Sequence, residues 1–272
     1  MIAMSLSFKY DEHNKYHRFA RSAIIAAASL TTFVIVWWFV AIMANMTALP
    51  TPIETWDAFI SLLNDGDPLT GASLSTYLSK SFGTFLKGLA LAVVIAVPLG
   101  LFLGFIKPLR EFLNPIIEVL RPIAPIAWAP IFILSFGYQI GPSLVVFVGI
   151  FFPMLTNTIF GVQKLDPMLL DAARTMGANP LQLFRKVVLP SSVPYIMNGL
   201  KVGLGIGWMC IVAAELYATP LGGIGFYLQE QASAGNWPGA YSAIIIIAVL
   251  GLLTTSLAEY AHKAIAKRMG IE

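Results

Sequence analysis

Residues Asp166–Pro190 read DPMLLDAARTMGANPLQLFRKVVLP, and this charged stretch lies between two strongly apolar runs. Asp166-Pro167 is a strong helix start, because Asp accepts hydrogen bonds from free backbone N–H groups and Pro fits the first helical turn. Gly177 is placed to end that helix in a left-handed conformation, and Asn179-Pro180 starts a second helix with the same chemistry. We therefore predict a helix–turn–helix loop whose second helix ends before Leu189-Pro190.

The first helix of this loop is predicted to carry a small, flat apolar side, formed by Ala172, Ala173 and Met176. Such a side suits docking into a groove of another protein. It equally suits a connector that lies on the lipid headgroups. Both uses require amphipathic helices, so the residues of the loop leave the two interpretations open.

The composition is that of a membrane protein. Of the 272 residues, 57% are hydrophobic and only 11% are charged, whereas soluble domains carry roughly a quarter charged residues. No Gly-rich loop ends in Gly-Lys-Ser/Thr, so ATP binding by a P-loop is excluded. Cys210 is the single cysteine, and His13 and His17 alone are too few ligands for a metal site. We predict no catalytic residue, no bound cofactor and no metal in this chain.

Hydropathy predicts six transmembrane helices, since about 20 apolar residues cross roughly 30 Å of hydrocarbon. Lys and Arg collect before the first candidate, after the second, between the fourth and fifth, and after the last, as they do on the cytoplasmic side. We predict an all-α integral protein of the plasma (inner) membrane: a cytoplasmic segment 1–21, a transmembrane domain 22–264 and a cytoplasmic tail 265–272. The candidate spans are Ser22–Ala44, Phe82–Ile106, Phe112–Phe136, Pro142–Val162, Val193–Tyr217 and Gly239–Ala264.

Three stretches carry a resemblance to a known family. Asp171-Ala172-Ala173, Gly177 and Val187-x-Leu189-Pro190 resemble, at fixed spacing, the "EAA" signature of the membrane subunits of ABC importers. Asp stands here for the usual Glu and Val for the usual Ile. The proline-rich stretch 121–130 and the Leu-Pro-Thr-Pro of 49–52 resemble the corresponding sequences of the subfamily that transports nitrate, bicarbonate, sulfonates and taurine. The resemblance covers nearly the whole chain and is weakest in the external region 217–236.

The resemblance implies a type I ABC importer permease in which loop 164–190 is the coupling helix. It implies as partners ABC ATPase subunits that carry ATP-Mg, an external solute-binding protein, a second permease copy and membrane lipid, with no nucleic acid. The cargo would be a small solute, such as nitrate, taurine or another sulfonate, or bicarbonate. A stand-alone secondary transporter or channel is the alternative, and it leaves the loop unexplained. The implied ATPase-coupling residues are Asp171, Ala172, Ala173, Gly177, Leu189 and Pro190.

Several residues of the predicted spans are candidates for a translocation pathway or gate. Prolines in the third span leave backbone carbonyls free, and irregular backbone at membrane depth is tolerated where it faces protein or a watery cavity. For Trp128, which lies among these prolines, ordinary packing is an equally good interpretation. An acidic residue near the external end of the fifth span either gates the mouth or holds the turn at 222–225. The candidates are Pro125, Trp128, Pro130, Asn157, Trp208 and Glu215.

The fifth predicted span contains Gly199, Gly203 and Gly207 at intervals of four residues. Small residues at this spacing form one smooth helix face and let two backbones approach closely. We favour static packing within one subunit over a sliding or pore-lining face between two subunits. Lys201, in the same span, is expected to snorkel to the cytoplasmic surface or to pair with a lipid phosphate or Glu118.

Overall fold

The structure is a computed structural model that describes residues 15–217 and 222–268, and the regular structure of these residues is helical. Most of the predicted cytoplasmic N-terminal segment, four residues of the second external region and the end of the predicted tail lie outside the described residues. The elements are α1 (Lys15–Ala44), α2 (Pro52–Asn64), α3 (Leu74–Phe105), α4 (Lys107–Leu120), a 3₁₀ helix (Pro125–Trp128), α5 (Ala129–Gln163), α6 (Pro167–Thr175), α7 (Pro180–Leu183), a π-helical turn (Phe184–Val188), α8 (Leu189–Glu215), α9 (Ile224–Ser233) and α10 (Trp237–Arg268).

Within the described residues, five helical stretches are long and apolar enough to cross a membrane, and the third of them is 39 residues long. A straight helix of that length would extend about 58 Å, roughly twice the hydrocarbon thickness. Gly137 interrupts it with φ 74° and ψ 172°, which is not helical. The third stretch is therefore two segments. The five stretches are Arg21–Ala44, Leu74–Phe105, Pro125–Gln163, Pro180–Glu215 and Trp237–Ala264.

The chain reverses direction at Gly137. A Cβ atom built on Gly141 would lie 2.7 Å from the Cα atom of Ile133, eight residues earlier. In a continuous helix, eight residues are separated by about 12 Å. The chain before Gly137 therefore folds back beside the chain after it, and α5 consists of two legs of a hairpin.

Contacts between α3 and the second leg of α5 fix the direction of the crossings. Gly88 packs on Ser143, and Gly100 packs on Thr158, so these two helices run parallel. The chain between them must therefore return across the membrane through α4, the 3₁₀ helix and the first leg of α5. This return is a further crossing, whereas five stretches of the described residues meet the length and hydropathy of a span, one fewer than the six predicted.

The third crossing is not the single helix predicted at Phe112–Phe136. Helix α4 ends at Leu120, and a short non-helical link precedes the 3₁₀ helix Pro125–Trp128. Pro122 and Pro125 lack the N–H groups that a continuous helix requires at these positions, which explains the break. The residues of α4 are all at least partly exposed in the isolated chain.

The remaining helices alternate in direction. Gly161 packs on Tyr195 and Gly149 packs on Cys210, so α8 runs antiparallel to the second leg of α5. Side-chain hydrogen bonds between α8 and α10 show the same antiparallel arrangement. An even number of crossings places the start of α1 and the end of α10 on one side. That side carries most of the Lys and Arg residues and is therefore the cytoplasmic side.

Small residues let α3 and α5 approach closely. On α3, Gly88, Ala92, Ala96 and Gly100 recur every four residues, and all four are buried. This spacing forms a groove that receives side chains of a neighbouring helix. Sequence analysis singled out the glycines of the fifth span and missed this row, which mixes Gly with Ala.

The glycines of α8 face α5 of the same chain. A Cβ atom on Gly199 would lie 2.9 Å from the Cβ atom of Asn157, and one on Gly203 would lie 2.9 Å from Cγ2 of Ile150. A Cβ atom on Gly207 would lie 2.8 Å from Cδ1 of Ile150. These contacts place the three glycines in the packing interface within one chain rather than on its open surface.

Helix α3 offers a matched pair of substitutions that tests this packing. A Cβ atom on Gly88 would lie 2.6 Å from the backbone oxygen of Ser143, whereas Gly83 has no atom within 4 Å of such a Cβ. We expect Gly88→Ala to destabilise the protein by about 1–3 kcal/mol through overpacking. Gly83→Ala is expected to be neutral or stabilising by up to about 1 kcal/mol, because Ala favours helix.

The measurement is the midpoint of thermal unfolding of both variants in the same detergent. Equal midpoints for Gly88→Ala and Gly83→Ala would contradict the close approach of α3 and α5.

Candidate functional site

The loop between α5 and α8 is a capped helical unit. The Asp166 side chain caps α6 by accepting a hydrogen bond from Met168 N at 2.9 Å, and Pro167 occupies the first turn. Asp171 pairs with Arg174 at 3.1 Å on the solvent side of α6. Both side chains of that pair are largely exposed, so the ion pair contributes little to stability. The predicted start of the first loop helix is therefore confirmed.

Gly177 ends α6 as predicted. Its φ of +81° is in the left-handed region. The Gly177 N–H donates to the Arg174 carbonyl at 2.9 Å, and the Ala178 N–H donates to the Ala173 carbonyl at 3.0 Å. These two bonds form a Schellman motif, which satisfies carbonyls that the end of a helix leaves free.

The second loop helix begins as predicted but does not end as predicted. Asn179 and Gln182 form a capping box, with reciprocal hydrogen bonds of 2.8 and 3.0 Å. Beyond α7 the chain continues through the π-helical turn directly into α8. The expected end before Leu189-Pro190 is wrong, because the π-helical turn, with its wider hydrogen-bond spacing, carries the helix past Pro190, which has no N–H to donate.

The expected apolar side of α6 is divided in two. Ala172 and Met176 are exposed, the latter by 81%, whereas Ala173 is buried. Ala172 lies about 100° around the helix axis from Ala173, so the two alanines do not form one flat side. Ala173 and Met176, three residues apart, both line a concavity of about 430 Å³ between α6 and the π-helical turn, and Ala172 does not.

Apolar side chains project from the loop into solvent. Met168 is 75% exposed, and Leu169 and Leu181 are also more than half exposed. Together with Met176 they form an apolar surface on the cytoplasmic end of the chain. Either docking on a protein or contact with lipid headgroups would cover this surface.

The loop is firmly attached to the membrane helices. Val188 is buried against Leu101 of α3 and Val162 of α5. The Phe184 ring stacks on the Phe102 ring, with 6.0 Å between the ring centroids. The loop is therefore packed against the cytoplasmic end of α3.

Three candidate pathway residues lie in the proline-rich stretch before Gly137. Pro125 and Trp128 are partly exposed, and Pro130 is exposed. The Trp128 ring stacks on Phe132, with 5.7 Å between the ring centroids. This stretch packs on the rest of the chain with one side and leaves the other side open. Its position therefore fits both a wall of the pathway and ordinary packing.

Asn157 joins two neighbouring helices. Its side-chain oxygen accepts a hydrogen bond from Asn198 at 2.8 Å, and its amide group donates to the Pro153 carbonyl at 2.8 Å. Asn198 is exposed, and Asn157 is partly buried. The pair forms a polar spot on the surface between α5 and α8.

Trp208 does not lie on an open surface. Only 2% of it is exposed, and its ring stacks on Phe85 at 4.8 Å between centroids. Its indole N–H donates to the Thr254 hydroxyl at 2.8 Å. The expectation that Trp208 lines a pathway is therefore wrong for this structure, because the side chain packs between α3, α8 and α10.

Glu215 is likewise buried, so it does not face an open mouth in this structure. Its carboxylate accepts hydrogen bonds from the Ser81 hydroxyl at 2.8 and 2.9 Å and from the Gly225 N–H at 2.8 Å. The Ser81 oxygen in turn accepts from the Ile224 N–H at 2.8 Å. Of the two roles considered from sequence, these bonds match the one that holds the turn at 222–225.

Lys201 has a different partner from those expected. Its ammonium lies 2.9 Å from a carboxylate oxygen of Glu259 on α10. Lys263 pairs with the other oxygen of Glu259 at 3.1 Å. Glu118, the partner considered from sequence, accepts a hydrogen bond from Asn114 instead.

Residues 96–270 match the family described as "Binding-protein-dependent transport system inner membrane component". The match spans more than half of the chain. The chain belongs to this family. It is a multi-pass inner membrane component of an ABC importer, as the sequence predicted.

Named relatives extend over nearly the whole of this inner membrane component. The taurine transport system permease protein of Escherichia coli is 30% identical, over 92% of this chain and 90% of its own length. The nitrate import permease protein of Leptolyngbya laminosa is 30% identical, over 88% and 86%. The bicarbonate transport system permease protein of Synechococcus elongatus is 28% identical, over 90% of both chains.

Solved structures agree on the fold of the inner membrane component. An inward-facing structure of the MetNI methionine ABC transporter superposes with a TM-score of 0.59 at 20% identity, over 71% of this chain and 95% of that chain. An amino acid ABC transporter superposes with a TM-score of 0.52 at 18% identity, over 79% and 96%. The fold of this chain is therefore that of ABC importer permeases.

Sequence analysis missed a second buried carboxylate in the inner membrane component. Asp67 is only 1% exposed, and it accepts hydrogen bonds from Thr70 and Tyr77 at 2.6 Å and from Gln231 at 2.7 Å. These bonds tie the first external loop to α3 and α9 and offset the cost of burying a charge. Asp67-Pro68 signals a turn in the sequence, but nothing there signals burial.

The Glu215 network is testable with a nearly isosteric change. Glu215→Gln keeps one acceptor oxygen but turns an amide donor toward the donors Ser81 and Gly225. We expect backbone exchange at 222–226 to speed up by about tenfold or more, since an unsatisfied buried group costs about 1–3 kcal/mol. Asp57→Asn on the exposed face of α2 serves as the matched control.

The readout is hydrogen–deuterium exchange of both variants. Unchanged exchange at 222–226 in Glu215→Gln would show that the carboxylate does not hold the turn.

Proposed function

We propose that this chain forms the translocation pathway of an ATP-driven importer for a small anion. Two ATPase subunits that carry ATP-Mg dock on the cytoplasmic loop, and a second copy of the chain completes the pathway. An external solute-binding protein delivers the cargo. The chain itself performs no covalent chemistry and binds no cofactor.

The observation that carries this proposal is the capped loop 164–190 on the cytoplasmic side. Its two short helices are fixed by a side-chain cap, a Schellman motif and a capping box, yet they leave apolar side chains exposed. A rigid helical unit with an exposed apolar surface favours docking into a groove of a partner. Family membership identifies an ATPase subunit as the partner that we propose.

The proposed coupling residues divide by role. Asp171 and Ala172 are exposed and would contact the partner, whereas Ala173 lines the concavity beside α6. Gly177 permits the turn between the two helices. Leu189 and Pro190 join the loop to α8.

Motion of the loop has a direct route into the membrane. Phe184 of the loop contacts Phe102 and Phe105 at the end of α3, with ring centroids 6.0 and 5.8 Å apart. We propose that closure of the ATPase pair draws two loops together and that these contacts carry the movement to α3. Such a cycle requires two conformations with different affinity for the nucleotide-bound ATPase.

The names of the relatives support an anionic cargo. The relatives are named for taurine, nitrate and bicarbonate transport. We propose a small oxyanion or sulfonate as the class of cargo for this chain. The proline-rich stretch with Pro125, Trp128 and Pro130 is the proposed wall of the pathway, and Asn157 adds a polar group at the α5–α8 surface.

A stand-alone secondary transporter or channel remains the alternative function. Such a protein moves its solute without an ATPase, and many secondary transporters contain inverted repeats with matched broken helices. The broken third crossing has no described counterpart among the other long helices of residues 15–217 and 222–268. The importer proposal gives the loop a protein partner, whereas a stand-alone transporter leaves it only contact with lipid headgroups.

A pair of glycine substitutions tests the importer proposal. Gly177 and Gly235 have φ of +81° and +75°, and a Cβ atom on either would meet nothing within 4 Å. Val at either position strains the backbone by about 1–3 kcal/mol. We expect Gly177→Val to lose ATPase binding or to uncouple ATP hydrolysis from transport, whereas Gly235→Val on the external side retains both.

The measurement uses the chain co-purified with its ATPase and reconstituted in proteoliposomes with the binding protein. ATPase retention, ATP hydrolysis and anion uptake are recorded for each variant. ATP-independent uptake by the chain alone would overturn the importer proposal in favour of the secondary transporter or channel.

A further inference from the structure

A polar pocket opens on α3 near its external end. It has a volume of about 360 Å³, which lies within the usual range of small-molecule sites. None of the residues that line it belongs to the core described above. They are Ser79, Lys80, Gly83, Thr84, Lys87, Gln139 and Gly222.

The two lysines share one face of α3. Lys80 and Lys87 are seven residues apart, or about two helical turns, and Gly83 and Thr84 lie between them on that face. The opposite face of the same turns carries the buried residues Ser81 and Phe85. The sequence therefore places a cationic stripe on the unpacked side of an otherwise apolar helix.

Neither ammonium is neutralised within the described chain. Every ion pair found among residues 15–217 and 222–268 involves other lysines or arginines, so no described carboxylate lies within 4.0 Å of Lys80 or Lys87. The Glu215 carboxylate is held by Ser81 on the buried side of α3. The pocket therefore has a net positive charge.

The position of these lysines is unusual for a membrane protein. Lys and Arg are depleted on the external side, and the external loop residues Glu54, Asp57 and Asp65 are acidic. Lys87 lies 18 residues, or about 27 Å, from the cytoplasmic end of α3 at Phe105, which places it near the external edge of the hydrocarbon. From this position the long Lys87 side chain reaches the solvent-facing opening of the pocket.

The pocket adjoins the proposed pathway wall. Gln139 follows the reversal at Gly137, at the external end of the stretch that contains Pro125, Trp128 and Pro130. The Lys80 ammonium lies next to Gly222, at the start of the turn held by Glu215. Two ammonium groups, an amide and a hydroxyl offer the donors that an oxyanion requires.

We propose that Lys80, Lys87, Thr84 and Gln139 form an external binding site for a small oxyanion or sulfonate, which receives the cargo before it enters the pathway. This inference rests on the proposed function for the identity of the anion as cargo. A phospholipid headgroup presents the same phosphate-like oxygens, so the experiment distinguishes a soluble anion from a lipid.

Thiol labelling reports the charge of the pocket directly. Thr84→Cys places a thiol between the lysines, and the native Cys210 is buried. A sulfonate-bearing thiosulfonate reagent is expected to react about tenfold faster than its trimethylammonium counterpart, because a cationic cleft concentrates anions. This preference for the anionic reagent should vanish when both lysines are replaced (Lys80→Met with Lys87→Met). It should return when Lys80→Met is combined with Lys87→Arg, which restores one positive charge. Ser75→Cys, exposed on the same helix outside the pocket, is the matched control.

Protection identifies the ligand class. In the detergent-purified complex, nitrate or methanesulfonate should slow labelling of Thr84→Cys at least about threefold more than chloride at equal ionic strength, since screening is then equal. The experiment is repeated in bilayers with and without anionic phospholipid. Protection that requires anionic phospholipid, or a reagent preference that persists without the two lysines, would overturn the proposal.

Transport separates this inference from the importer proposal. We expect Lys87→Met to reduce anion uptake at least about tenfold with ATPase binding retained, and the exposed cytoplasmic Lys107→Met to leave uptake unchanged. Unchanged uptake by Lys87→Met would overturn the site. If the chain without substitutions does not bind the ATPase, but nitrate or methanesulfonate still protects Thr84→Cys from labelling, the importer proposal is refuted and the site is supported.

Discussion

The close approach of α3, the second leg of α5 and α8 is the constraint on which the rest of the structure depends. Gly88 and Gly100 of α3 receive residues of α5, and Gly203 and Gly207 of α8 receive Ile150 of α5. Lipid tails are as apolar as these helices, so burial of apolar surface contributes little to their association, and close packing contributes most. The three helices form a frame to which the loop, the external segments and the broken third crossing are attached.

Two ends of this frame carry different kinds of attachment. At the cytoplasmic end, Val188 and Phe184 fix the loop by apolar and aromatic packing. At the external end, Asp67 and Glu215 fix the loops by hydrogen bonds to buried carboxylates. Apolar packing tolerates small sliding movements, whereas a carboxylate that accepts several short hydrogen bonds requires one geometry. The two ends of the frame are therefore held by different interactions, packing at the loop and directional hydrogen bonds at the external turn.

The proposed pathway surface is the part of the chain that the frame leaves open. The stretch before Gly137 has prolines instead of a regular hydrogen-bond ladder, and the cationic pocket of Lys80 and Lys87 adjoins its external end. Exposing either feature to lipid costs much free energy, whereas exposing it to water or to a second copy of the chain costs little. Gln139 lines the pocket and closely follows the reversal at Gly137, so the two features are neighbours along the chain and support one proposed route for an anion.

The sequence by itself determined the membrane class, the caps of the loop at Asp166 and Gly177, and the family. These features depend on local chemistry: hydropathy over 20 residues, caps within four residues, and a gapped motif. Tertiary structure alone decided the reversal at Gly137, the burial of Trp208 and Glu215, and the pocket around Lys87. Each of these depends on which helix lies opposite, and residues more than a hundred positions apart, such as Ser81 and Glu215, carry no mark of their contact in the sequence.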